Sequence, residues 1–135
     1  MACRGTENRE APLRKIEDSH WEIKVLDGLA NPYFVIAAII SAGTQGVVDK
    51  EKLNIGDCPV DPGILSDHDR RKLGIVYKLP KDLNTSLTSL ERNQQLKELL
   101  GKDSVERYLI VKRAEANMLE EMSAEERREW IIERY

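Results

Sequence analysis

Asn31-Pro32 opens the stretch that most restricts how this chain can fold: Tyr33-Phe34-Val35-Ile36-Ala37-Ala38-Ile39-Ile40, continuing through Ser41-Ala42-Gly43 to about Gly46. Asparagine can cap the free backbone donors of a helix start, and proline is pre-set for the first helical position. The spacing therefore predicts a helix from Tyr33 to about Gly46 that is apolar all round. Such a helix needs cover on every side. A chain of 135 residues is one ordinary domain or a fragment of a larger one, and it can hardly wrap such a helix alone. Something larger is expected to cover it.

Composition excludes several partners. Apolar residues make up 41% and charged residues 33%, as in a globular protein, whereas aromatic residues are only 5%. A self-sufficient core would rest on Leu, Ile, Val and Ala. The formal charge of −3 and the absence of a basic stripe argue against nucleic acid, because phosphate-backbone binding is driven by excess Lys and Arg. The longest apolar run, Tyr33 to Ala42, falls far short of the roughly 20 residues of a membrane helix. Met1 is followed at once by charge rather than by a signal-peptide core. The expected location is cytoplasmic. Cys3 and Cys58 are too few and too far apart to read as a disulfide framework or zinc knuckle, which suits a reduced compartment.

Along the chain, residues 1 to 18 read as polar loop with Gly5, Asn8 and Pro12 as breakers. His20 to Val25 then alternates, which predicts a strand ending at Asp27-Gly28 with Trp21, Ile23 and Val25 facing a core and His20, Glu22 and Lys24 on the opposite face. Lys52 to Ile75, rich in Gly and Pro, reads as a surface excursion, a packing arm or mobile loop, with one helical turn near Ser66 to Lys72. Helices follow: Asp82 caps one to about Glu91, Asn93 caps another to Leu100, and Gly101 ends it. Ser104 to about Met122 carries Val105, Tyr108, Leu109, Val111, Ala116, Leu119 and Met122 at helical spacing, and Ser123 with Glu126 forms a capping box for a last helix through Arg134. The fold class expected is α+β and mostly helical, with one or a few strands near the N-terminus.

Polar chemistry is concentrated before the apolar run. Asn8-Arg9, Arg14-Lys15 and His20-Trp21-Glu22-Ile23-Lys24 bring cations beside one carboxylate, as one wall of a phosphate and metal site requires. Each of these charges taken alone reads more readily as a solvated surface residue, the usual fate of such side chains. Tyr33, Phe34 and Ile36 read as core, Lys112, Arg113 and Glu115 as helix-surface ion pairs, and His68 as exposed.

The ordered set Glu7-Asn8-Arg9, Pro12 and Arg14, Trp21-Glu22-Ile23-Lys24, Asp27-Gly28, Ala30-Asn31-Pro32-Tyr33, Ala37-Ala38, Ala42-Gly43, Leu79-Pro80, Leu99-Leu100-Gly101 and Tyr108-Leu109 through Glu115 resembles the C-terminal part of the glutamine synthetase catalytic domain. The wording around Ser19-His20-Trp21-Glu22 is similar to glutamine-synthetase-like proteins of eukaryotes in which this module follows an amidohydrolase-like domain. The resemblance implies that residues 1–135 are a partial catalytic domain, with the β-grasp domain and the upstream half outside the matched segment.

It also implies ATP- and metal-dependent ligation of ammonia to glutamate in the complete domain, with Mg²⁺ or Mn²⁺ as cofactor and a homo-oligomer or co-assembly with a synthetase-like subunit as the assembly. Glu22 corresponds to a metal-ligating carboxylate, Arg9 and Arg14 to arginines on the nucleotide phosphates, and His20 to a residue flanking the nucleotide. Lys24 occupies the place of an arginine that acts on the transferring phosphate, and an ammonium there is a point charge without the planar fork. The family's other metal carboxylates, its metal-binding histidine and its glutamate-binding loop lie upstream of the matched segment, so turnover by these residues alone is not expected. The alternative is a non-catalytic assembly or regulatory module derived from the family.

Overall fold

The computed structural model describes residues 1–134. Among them are strands β1 (Arg4–Thr6), β2 (Leu13–Glu17) and β3 (His20–Ile23), and helices α1 (Pro32–Val48), α2 (Asp67–Lys72), α3 (Leu83–Arg92), α4 (Gln94–Leu100), α5 (Lys102–Glu121) and α6 (Ala124–Arg134). The α+β class expected from the sequence is what forms. The elements fall into two compact units, one of Met1–Gly28 with Asp49–Leu79, the other of Leu29–Val48 with the segment from Pro80 onward.

The first unit is built on a three-stranded sheet in the order β1-β2-β3. β1 runs parallel to β2 with Gly5 opposite Arg14, and β2 runs antiparallel to β3 with Arg14 opposite Glu22 and Lys15 opposite Trp21. The loop expected up to Asp18 is thus corrected to two strands. Leu13-Arg14-Lys15-Ile16-Glu17 carries no clean apolar alternation, and its extended form is set by hydrogen bonding to partners on both sides. β3 ends at Ile23, before the expected Asp27-Gly28.

The expected faces of β3 are also corrected. Trp21, Ile23 and Val25 remain 39%, 38% and 48% exposed, while Glu22 is the half-buried position of the strand. The reason lies in the layout: β3 is the edge strand away from β1, whereas the core of the unit gathers Cys3, Ala11, Cys58 and Ile75 with Met1, Leu65 and Leu73 packed against it. The apolar side chains of β3 have nothing in this unit to face.

Residues 52–75 supply half of that core, so they form a structural segment and not a mobile loop. The Cys58 amide donates to the Arg4 carbonyl at 2.9 Å, and the Gly56 amide to the Leu73 carbonyl at 2.8 Å. Helix α2 stands where one turn was expected, capped by Ser66, whose hydroxyl accepts from the Asp69 amide at 3.1 Å. Burial, and then the neighbouring Cys58, push the Cys3 thiol above its ordinary pKa. Both cysteines therefore behave as small apolar core residues.

In the second unit the caps fall where the sequence predicts. The Asp82 carboxylate accepts from the Thr85 amide at 2.7 Å and the Asn93 side chain from the Leu96 amide at 2.9 Å. Gly101 ends α4 with φ +85, a conformation that glycine adopts without strain. The Ser123 amide donates to Glu126 at 2.9 Å while the Glu126 amide donates to the Ser123 hydroxyl at 3.3 Å, which completes the capping box. Leu87, Val105 and Leu109 form the core, bordered by Leu90, Leu100 and Tyr108. Val111, expected among the apolar positions of α5, is 62% exposed.

The expected helix-surface pairs are present: Lys112 lies 2.6 Å from Glu115. Arg113 reaches across to α3 and holds both oxygens of Glu91, at 3.0 and 2.7 Å. α1 is a helix as expected, but none of its residues is buried. Tyr33, Phe34 and Ile36, read as core, are 83%, 38% and 55% exposed. Within the unit, α4 and neighbouring side chains meet one face of α1, and the other face is exposed.

The carboxylates of the second unit give it a defined acid sensitivity. The Thr85 amide bonded to Asp82, the guanidinium of Arg113 on Glu91, and Ser123 bonded to Glu126 each lower the carboxyl pKa below its ordinary value. A lowered folded-state pKa means that the unfolded chain takes up protons first on acidification. The stabilisation is thus complete above the unfolded value and is lost as pH falls through about 4.5 and below. Helical melting followed by circular dichroism is expected to shift to lower temperature between pH 6 and pH 3, and the combined variant Asp82→Asn, Glu91→Gln, Glu126→Gln to shift less over the same interval.

Candidate functional site

The five candidate residues all lie in the sheet unit, on β2, β3, the loop of residues 7–12 and, for Lys24, directly after β3. Arg14 and Glu22 face each other across the antiparallel pair, and Arg14 Nε lies 3.3 Å from Glu22 Oε2. Opposite charges directly across two strands are mutually favourable. The pair is only partly shielded, with side-chain exposures of 21% and 40%. Even so, Glu22 Oε2 itself is buried and accepts no hydrogen bond. The Arg14 guanidinium therefore meets that oxygen as an ion pair and not as an aligned hydrogen bond.

Arg9 is exposed on the 7–12 loop, and that loop is held from several sides. The Asn8 side-chain amide donates to the carbonyls of Cys58 at 2.7 Å and Val60 at 2.8 Å, while its oxygen accepts from the Glu10 amide at 2.9 Å. The Lys24 ammonium donates to the Arg9 carbonyl, and the Lys24 amide to the Pro12 carbonyl at 2.8 Å. Lys24 thus ties the end of β3 to the Arg9 loop. Its ammonium has three donors, so a bond to one carbonyl leaves others for a further acceptor.

His20 is placed apart from this arrangement. Its Nδ1 is 3.8 Å from Glu17 Oε1, with both side chains largely in solvent. His68 is exposed, as expected. The role of Asn8 as organiser of the Arg9 loop was not legible from the sequence, where it reads only as a breaker; its partners are carbonyls some fifty positions away. Asp57 is another such anchor, accepting from the Thr6 amide at 2.7 Å.

For a divalent cation the donor set is incomplete. Among the described residues there is no group of three or more His, Cys, Asp or Glu able to hold a metal ion. Glu22 offers one hard oxygen ligand, its Oε2 being ion-paired with Arg14, and a lone carboxylate leaves most of the shell to water. Arg9, Arg14 and Lys24 are three cations on segments joined by hydrogen bonds, with Arg14 paired to Glu22 and the Lys24 ammonium on the Arg9 carbonyl.

Comparison with known proteins shows the family of the chain. The family described as "Glutamine synthetase, catalytic domain" matches residues 1–135. The chain is 52% identical over 131 residues to Protein fluG of Emericella nidulans, covering 97% of this chain and 15% of that protein. It is 31% identical over 134 residues to Type-1 glutamine synthetase 2 of Dictyostelium discoideum, covering 97% of this chain and 24% of that one. It is 37% identical over 102 residues to the glutamine synthetase of Sulfolobus acidocaldarius, covering 73% and 21%. The chain belongs to the glutamine synthetase catalytic-domain family. It spans a quarter or less of the length of these relatives. Among the described residues no helix is long and apolar enough to cross a membrane.

Proposed function

We propose that this chain supplies the phosphate-facing wall of an ATP-dependent glutamate–ammonia ligase site, as a partial catalytic domain whose remaining walls lie on other residues. The observation that supports this reading above others is the Arg14–Glu22 pair, in which a buried carboxylate oxygen faces a guanidinium yet accepts no hydrogen bond.

When bound, ATP would supply the phosphoryl group and Mg²⁺ or Mn²⁺, held in part by Glu22, would offset its negative charge. The residues of this chain bind and orient. Arg14 keeps part of its planar donor fork for phosphate oxygens while Glu22 holds the guanidinium in place, and a guanidinium matches phosphate bidentately. Arg9 adds a second such group on a loop fixed by Asn8. Lys24 fixes the same loop and adds a point charge where phosphoryl transfer concentrates negative charge, the part of the reaction that electrostatic positioning accelerates. Glu22 is the one cation ligand contributed. His20 flanks the nucleotide. With a single carboxylate and no glutamate-binding loop, the chain alone has no turnover; glutamate and ammonia are substrates of the complete domain, in a cytoplasmic oligomer.

The test joins this chain to the remainder of a family catalytic domain and measures Mg-ATP binding by calorimetry. Arg9→Ala and Arg14→Ala are each expected to weaken binding about tenfold or more, on the order of 1.5–3 kcal/mol for a hydrogen bond to a charged group. Glu22→Ala is expected to raise the Mg²⁺ concentration needed for half-saturation. Binding left unchanged in the Arg9→Ala, Glu22→Ala double variant sinks the assignment. If the double variant binds normally and the chain still co-assembles, the non-catalytic assembly module is the correct reading.

A further inference from the structure

We propose that Cys3 and Cys58 are a redox-sensitive pair: a peroxide joins them in a disulfide that staples the chain leading into β1 to the segment of residues 52–75, and a dithiol releases it. The proposal stands on the packing of the sheet unit and not on the phosphate chemistry assigned to Arg9, Arg14 and Glu22.

The sequence holds its two cysteines more than fifty positions apart, and the fold brings them together. Arg4 and Asp57 form a parallel bridge, and the Cys58 amide donates to the Arg4 carbonyl at 2.9 Å. Side chains alternate along extended backbone. The side chains of Arg4 and Asp57 share one face, where Arg4 Nη1 lies 3.9 Å from Asp57 Oδ1. Cys3 and Cys58 flank that bridge on the other face, in the core that also holds Ala11 and Ile75.

Within that core the thiols touch. The Cys58 thiol donates to the Val60 carbonyl at 3.1 Å. Its single proton is committed there, so in its hydrogen bond with Cys3 the Cys58 sulfur accepts. Sulfurs in contact are already near the bonding distance of about 2.05 Å. A bond between them draws no distant segments together.

Cys3 is 5% exposed and Cys58 0%, so a small oxidant meets Cys3 first. The Cys3 thiolate attacks one oxygen of hydrogen peroxide and becomes a sulfenic acid, and the other oxygen leaves as water after taking up a proton. The Cys58 sulfur then attacks the sulfenic sulfur, the S–S bond forms, and the hydroxyl departs as a second water with the Cys58 proton. Two thiols lose two electrons and one peroxide becomes two waters. A dithiol reverses the step by exchange through a mixed disulfide. Burial holds the Cys3 thiol protonated, so the reaction is slow at neutral pH and quickens as pH rises. Until then both thiols pack as small apolar groups.

The experiment treats the folded full chain with hydrogen peroxide and follows free thiols by titration, the Cys3–Cys58 cross-linked peptide by mass spectrometry, and stability by thermal melting. Both thiols are expected to disappear together, at a rate that rises about tenfold per pH unit between pH 7 and pH 8. The cross-linked peptide is expected to appear, and dithiothreitol to remove it. Closing so long a loop restricts the unfolded chain, and the oxidised protein is expected to melt roughly 5 °C or more above the reduced one. Cys3→Ala is expected to give no cross-link and a melting midpoint indifferent to peroxide; where that variant fails to fold, the wild-type measurements decide by themselves.

Oxidation of one cysteine without the other, or a disulfide between two chains in place of the internal one, overturns the proposal. So does a cross-link that forms only in denaturant, because the pair then meets only in the unfolded chain. A cross-link that leaves the melting midpoint unchanged or lowers it overturns the stapling role.

Discussion

Gly5→Ala is expected to destabilise the sheet unit by about 3 kcal/mol, the upper range for overpacking a tight site, and to lower its melting midpoint by roughly 10 °C or more. A methyl on Gly5 would lie 2.5 Å from the Cys58 carbonyl oxygen, 2.7 Å from Asn8 Cβ and 3.1 Å from Ala11 Cβ. None of these can step aside cheaply. The Cys58 carbonyl already accepts from the Asn8 amide at 2.7 Å, and Ala11 is fully buried. The strand itself must shift, and Gly5 is the register partner of Arg14. The displacement would therefore reach the Arg14–Glu22 pair and the Asn8 anchor of the Arg9 loop together. Thermal denaturation checks the stability, with Gly43→Ala as the comparison. A methyl there meets nothing within 4 Å, and alanine in a helix interior is favoured over glycine by about 0.5–1 kcal/mol. If Gly5→Ala melts with the wild type, the packing described around β1 is wrong.

Val105→Asp is expected to be the most damaging single change in the helical unit, at roughly 4 kcal/mol or more, because it places an unpaired carboxylate where no polar group can answer it. Val105 is 1% exposed and packs with Leu87 and Leu109. Loss of this contact set releases α3 from α5. The measurement is helical signal at 25 °C and in a melt, where the variant is expected to lose its cooperative transition. Val111→Asp on the same helix, at a position 62% exposed, is expected to change stability by no more than about 0.5 kcal/mol. Equal effects of the two substitutions would contradict the orientation of α5.

Those two positions also mark how far the sequence reaches. Periodicity placed Val105 and Val111 on one helix, but it could not say that the first is buried and the second exposed. That depends on where α3 crosses. The helical half was legible because its signals are local: Asp82, Asn93, Ser123 and Glu126 bond to amides three residues away, and Gly101 supplies its positive φ alone. The sheet half was not, because β1 and β2 are short and charged, and their pairing joins residues that no local pattern links. The inward face expected for Trp21 and Ile23 failed for the same reason. Alternation tells which residues share a face of a strand, never which face meets the core.

The residue types of the candidate site were written in the sequence: two arginines, a lysine and a carboxylate ahead of an apolar helix. Their arrangement was not. Tertiary structure set Arg14 against Glu22, left one carboxylate oxygen buried without a donor, tied Lys24 to the Arg9 carbonyl and gave Asn8 its anchoring partners across the unit. The sequence determined that α1 would be a helix and apolar on every side, because capping and composition are properties of contiguous residues. Only the tertiary structure decided that one side is packed and the other open, because burial depends on how much chain is available to cover a surface.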